Sequence, residues 1–116
     1  MNAKFVNENI LKGKSEEDIL NDLESTNIDP DDLLVRSADN GFLAGVKMAL
    51  ERGANVHIGN DVALRFASKG GHIEVVKLLL ENGANIHARD DDALKRASKF
   101  RHTEVVNLLK KYMNKE

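Results

Sequence analysis

The chain has no cysteine and no tryptophan, a single proline, and only four phenylalanines and one tyrosine among its 116 residues. Without cysteine there is no disulfide framework, no thiolate metal site and no cysteine nucleophile. With so few rings, the core has to be built from alanine, leucine, isoleucine and valine, which suits thin layers of helices. No run approaches the roughly 18 apolar residues of a membrane span. Charged and apolar residues alternate from Met1 to Leu20, unlike a signal peptide. These absences point to one small, soluble, cytoplasmic domain.

The formal net charge of −2 hides an asymmetry. Residues 1–32 carry three lysines against nine acids, a balance of −6, whereas residues 33–116 carry fourteen basic residues against ten acids, a balance of +4. An acidic segment on a mildly basic body either orients a partner or is the solvated surface of helices.

What is present in abundance is repetition. Residues 51–80 and 81–110 share seventeen of their thirty aligned positions. A period of this length marks a stacked solenoid, whose units bury one continuous apolar seam. A solenoid offers an extended face rather than a closed cleft, which favours a binding partner over a reaction.

The unit reads most clearly in its second copy. Gly83-Ala84-Asn85-Ile86-His87 leads in, with Gly83 suited to a left-handed helix end. Asp90-Asp91-Asp92 forms an acidic turn in which Asp91 or Asp92 can cap the next helix. A short helix over Ala93–Phe100 presents Leu94 and Ala97 on one face. A second helix follows His102-Thr103-Glu104 and carries the stripe Val105, Val106, Leu108, Leu109. The same parts recur thirty residues earlier, from Gly53 and His57 through Asp61, Leu64, Ser68 and His72 to Leu79. A looser copy spans residues 30–52, with Leu34, Gly41, Val46 and Leu50 in register and Phe42 where the later copies have histidine. It opens on Asp29-Pro30, a capping residue before proline at the first helical position. Residues 3–26 read as one further helical pair, with Phe5, Val6, Ile10 and Leu11 on the first helix. Ile19, Leu20 and Leu23 line its second helix, and Ser15 with Asp18 resembles a capping box. At the other end, Lys110 replaces Leu80 and Met113 stands where glycine is expected. The expected organisation is a single domain over 1–116. It comprises an N-terminal helical cap (1–29), a diverged repeat (30–52), a repeat (53–82) and a C-terminal repeat with its own cap (83–116). Both ends of the stack are expected within this chain.

These residues resemble the ankyrin-repeat family. Gly71-His72-Ile73-Glu74-Val75-Val76-Lys77-Leu78-Leu79-Leu80, followed by Gly83-Ala84-Asn85-Ile86-His87-Ala88, is similar to the family's second helix and exit almost residue for residue. Ala63-Leu64 and Ala93-Leu94 stand where the family has Thr-Pro-Leu-His. The resemblance implies an all-α, ankyrin-type helix-turn-helix solenoid of about three repeats plus an N-terminal helical cap. Two departures matter. Each unit has 30 residues rather than about 33, and the loss falls in the turn before the first helix, shortening the family's hairpin finger. The hydroxyl cap is missing, so Asp61, and Asp91 or Asp92, are expected to replace it. Short units with this Asp-x-Ala-Leu pattern resemble those of large DNA viruses and phages.

Candidate chemistry is sparse. His72-Ile73-Glu74 and His102-Thr103-Glu104 match half of a zinc-deaminase signature whose other half needs cysteines. His57 and His87 precede acidic turns, but three sequential aspartates cannot all converge on one ion. Ser68 and Ser98 lack a legible base and oxyanion hole, and Gly70-Gly71 follows no strand, so it is a helix-joining turn rather than a phosphate loop. No catalytic residue, metal ligand or cofactor is expected.

One constellation remains. Arg65 and Lys69 lie four apart on one first helix, and Lys95 and Lys99 repeat them on the next. Stacking should set these charges in a ladder along the inner surface, thickened by Arg96, Phe100 and Arg101. The family resemblance places Lys69, Gly70, Lys99 and Phe100 at typical contact positions and adds the turn residues Asp90 and Asp91. Asp39 and Asn40 occupy these places in the first unit, so the strip fades toward the N-terminus. The expected function is a non-catalytic protein–protein interaction module, monomeric on its own. It would bind an acidic patch of a protein partner through its concave face, and a viral or phage source would make that partner a host factor. The alternative is a nucleic-acid binder using the same basic strip. It lacks stacking aromatics and a groove-reading helix. Neither reading involves a small-molecule substrate or a membrane.

Overall fold

A computed structural model describes residues 27–116 together with Ser15, residues 17–19 and Asn21. From Pro30 onward six helices follow one another: α1 (Pro30–Asn40), α2 (Leu43–Glu51), α3 (Ile58–Gly70), α4 (Ile73–Glu81), α5 (Ala88–Lys99) and α6 (Thr103–Met113). No strand occurs among the described residues. Of the N-terminal pair, Phe5, Val6, Ile10, Leu11, Leu20 and Leu23 lie outside the described residues. Within them, Asp18 N–H donates to Ser15 Oγ at 3.1 Å, one half of the expected capping box, and Ile19 is buried in the core.

The helices begin and end where local chemistry dictates. Asp29 caps α1 by accepting from the N–H of Asp31 at 3.1 Å, and Pro30 opens the helix with its φ already set. α3 closes on Gly71, whose φ of 73° is left-handed; there the N–H of His72 returns to Ala67 O at 2.9 Å. Gly83 takes the left-handed position after α4, as its sequence context implied.

The helices pair as hairpins, and the hairpins stack. The buried residues of α1, α3 and α5 include many small ones, Ser37, Ala38, Ala63, Ala67, Ser68, Ala93 and Ala97, beside Leu33, Leu34 and Leu64. On α2, α4 and α6 the buried residues are mostly larger, Val46, Met48, Val75, Val76, Leu79, Leu80, Val105 and Leu109, with Gly45 and Ala49 on α2 alone. The first helices approach one another more closely than the second helices do. One apolar cluster runs through all six helices. Leu34 and Leu64 are inside it with Leu94 packed against it, and Val76 is inside it with Val106 alongside, which is the shared seam the repeat implied.

The shortened turn takes an unexpected form. Gly59, Asn60 and Asp61 all have φ between 57° and 61°, and Arg89, Asp90 and Asp91 have φ between 53° and 63°. Each is a single turn of left-handed backbone leading into right-handed helix. Such backbone costs about 1–2 kcal/mol per residue bearing a Cβ, least for Asn and Asp. In the first of these turns the strain is offset by Arg65, which donates to the carbonyls of Gly59 and Asn60, both at 3.0 Å.

Two carboxylates also leave their expected roles. Asp61 is not the cap of its own helix. Only 3% exposed, it accepts from His57 Nδ1 at 3.1 Å and from the backbone N–H of Asn85 in the next unit at 2.7 Å. Asp31 makes the same link to the N–H of Asn55, also at 2.7 Å. Asp91 pairs with His87 and Asp92 with two arginines, so neither of them caps α5.

Candidate functional site

His72 and His102 tie successive units together. Each stands just before a second helix, and its Nε2–H donates to a carbonyl at the end of the preceding first helix: His72 to Asp39 O at 3.1 Å and His102 to Lys69 O at 2.9 Å. A carbonyl can only accept, so Nε2 carries the proton. This bond fixes the end of α3 from which Lys69 projects. Gly70 leaves room for the His72 ring, which a Cβ there would strike.

Lys69 at the end of α3, Lys95 and Lys99 of α5, and Phe100 just after that helix meet around an open depression of about 310 Å³ on the first-helix side. Arg96 and Asp92 complete its lining. Phe100 is 46% exposed, the one large apolar side chain so exposed among the described residues. The Lys69 and Lys99 ammonium groups lie 5.8 and 5.7 Å from its ring centre, within cation–π range.

The other expected site residues lie elsewhere. Arg65 does not join the open strip: it is 7% exposed, held by the Gly59 and Asn60 carbonyls and by Asp92 at 3.3 Å. A left-handed turn presents carbonyls that a guanidinium fork satisfies better than solvent does. Asp90 is fully open in its turn and pairs with Lys95 Nζ at 3.0 Å. Asp91 accepts from His87 Nδ1 at 2.5 Å, and His87 Nε2 reaches Glu116 at 2.6 Å. Those two carboxylates, Asp91 first, hold the His87 pKa above its ordinary value of 6.5.

Asp92 was read from sequence only as a helix cap, yet it organises the floor of the depression. Arg96 Nε donates to its Oδ2 at 2.7 Å and Arg65 Nη1 at 3.3 Å. Burial pushes its carboxyl up, but the hydrogen bonds from Arg96 and Arg65 and their charges outweigh that, so its pKa falls below the usual 3.8. A signal for this was present. Asp32 and Arg36 form the same i, i+4 pair in the first unit, while the middle unit has Val62 and Phe66 at those places. Phe66 is half-buried beneath Arg65 and Arg96, at 6.0 and 5.9 Å from its ring centre.

Among the described residues no three histidine, aspartate or glutamate side chains converge to hold a metal, and no helix is long and apolar enough to cross a membrane.

No curated protein matches the chain. A family model described as ankyrin repeats (3 copies) matches residues 5–90 and again residues 34–116. With hairpins stacked on one seam, and with histidines and carboxylates linking each unit to its neighbour, the chain belongs to the ankyrin-repeat family.

Proposed function

We propose that the chain is a non-catalytic interaction module that binds a protein partner bearing an acidic patch, through the first-helix side of its stack. Ankyrin repeats generally mediate protein–protein interaction. The observation that carries the reading here is the depression where Lys69, Lys95 and Lys99 surround exposed Phe100. Positive charge speeds the encounter with an acidic surface and sets its register, while the ring supplies apolar contact area. The cations project from helices held by packing and by the His102 bond, so little backbone ordering remains to be paid on binding. We read the protein as a cytoplasmic monomer before it meets its partner. The likeness of its short units to those of large DNA viruses and phages extends the proposal to a host factor that the module binds and inhibits.

The nucleic-acid reading is weaker on this surface. Phe66 lies under two arginines and leaves Phe100 as the one open ring, and three carboxylates, Asp90, Asp91 and Asp92, lead into the same helix.

Affinity capture from host cells, with the wild type beside the double variant Lys69→Glu, Lys99→Glu, tests the proposal. A specific partner present with the first and absent with the second supports it. An identical set of captured proteins from both refutes the assigned surface.

A further inference from the structure

The cations around the depression differ in how far their charge is already answered. Arg96 and Arg65 share Asp92, and Lys95 has Asp90. Lys69 and Lys99 have no carboxylate within ion-pair distance among the described residues; their common contact is the Phe100 ring. Two uncompensated ammonium groups therefore converge on one exposed aromatic side chain. A ring attracts a cation through its quadrupole but leaves the net charge intact, so an anion arriving beside each lysine gains attraction without displacing an internal partner.

The depression is open rather than a closed pocket, which suits an extended chain segment lying along it. In such a segment residues i, i+2 and i+4 face the same way at about 3.3 Å rise per residue. Acidic side chains at i and i+4 stand about 13 Å apart with i+2 midway between them. Both ammonium groups lie under 6 Å from the ring centre, at 5.8 and 5.7 Å, and flexible side chains close the remaining gap. Building on the interaction-module reading, we propose that this depression receives an extended peptide whose two acidic side chains flank one apolar side chain at alternate positions. The carboxylates pair with Lys69 and Lys99, and the apolar group packs on Phe100. Asp90, paired with the lining residue Lys95, and Asp92 in the lining itself add selectivity, because they disfavour a continuous polyanion more than two spaced carboxylates.

Fluorescence anisotropy with defined probes tests this. The main probe is a labelled peptide with one glutamate on each side of a central leucine, each separated from it by a serine. One control replaces both glutamates by glutamine, a second replaces the leucine by serine, and a third probe is single-stranded oligothymidylate. The acidic leucine peptide should bind about tenfold more tightly than either control peptide and more tightly than the oligonucleotide. Lys69→Ala and Lys99→Ala should each weaken it about fivefold, and Lys47→Ala, on α2, should leave it unchanged. Phe100→Ala should abolish the preference for leucine over serine while keeping the preference for glutamate over glutamine. Circular dichroism confirms that each variant is folded. Equal binding of the glutamine peptide, no preference for leucine, stronger binding of the oligonucleotide, or no peptide binding at all overturns the proposal. The broader reading stands or falls separately, on whether the Lys69→Glu, Lys99→Glu variant loses its captured partner.

Discussion

Ser68, near the end of α3, has its hydroxyl fully enclosed and no hydrogen-bond partner. Ser37 on α1 is in the same condition. An unpaired buried hydroxyl costs about 1–3 kcal/mol, so these serines serve the stack by being small rather than by being polar. Ser68→Ala is expected to stabilise the protein by about 1 kcal/mol, read from the midpoint of urea unfolding. Destabilisation instead would mean that the hydroxyl has a partner in solution. At this scale the sequence was read with mixed success. Ser68, set aside as a nucleophile for want of a base, is buried where a small side chain fits, whereas its counterpart Ser98 is exposed. The expected roles of Asp61 and Arg65 differ from the observed ones, because Arg65 answers the carbonyls of a left-handed turn and Asp61 reaches backbone of the next unit, neither of which a local pattern announces. Position 61 looks like a helix cap in one dimension and becomes a cross-link only once the neighbouring unit is in place.

At the scale of elements, the joint between first and second helix repeats with one telling change. Gly41 and Gly71 take the left-handed position with φ of 71° and 73°, whereas Arg101 holds it at φ 61° with a full side chain. A Cβ on Gly71 would strike the His102 ring that bridges to Lys69. Gly71→Ala should therefore cost about 2–3 kcal/mol, combining backbone strain with the displaced histidine. Arg101→Gly should gain about 1 kcal/mol by relieving strain. Paired thermal melts check both signs, and a neutral Gly71→Ala would remove the clash from the account. From Pro30 onward, helix positions, the Asp29 cap and the glycine joints were legible because they rest on short-range chemistry: Asp29 before Pro30, apolar stripes at helical spacing, glycine where φ turns positive. The backbone of the shortened turn was not, since Arg89, Asp90 and Asp91 carry no residue that demands a positive φ. Its conformation parallels that of Gly59-Asn60-Asp61, where glycine and asparagine ease it.

At the scale of the whole molecule, two ionisable groups among the described residues, Asp92 and His87, make stability depend on pH in opposite directions. The Asp92 pKa is lower when folded than its ordinary 3.8, so its contribution is present above that value and is lost as pH falls through the folded pKa. The His87 pKa is raised above 6.5, so its contribution is complete below that value and is lost as pH rises through the folded pKa. Stability from these two sites should therefore be greatest between about pH 4 and pH 6.5. Urea unfolding across pH checks it: His87→Gln should flatten the decline on the alkaline side and Asp92→Asn the decline on the acid side. A profile unchanged by either substitution would remove these groups from the account. The stack itself was visible in the thirty-residue identity, since a shared seam is what such identity encodes. In the lining of the depression Asp92 alone was missed, because its pairing with Arg65 crosses units. The links from Asp31 to Asn55 and from Asp61 to Asn85 each join residues twenty-four apart, always from an earlier unit to a later one. During synthesis, then, the Asp31 and Asp61 carboxylates wait for backbone not yet made. The growing chain becomes secure in the order in which it is translated, each unit sealed by the arrival of the one behind it.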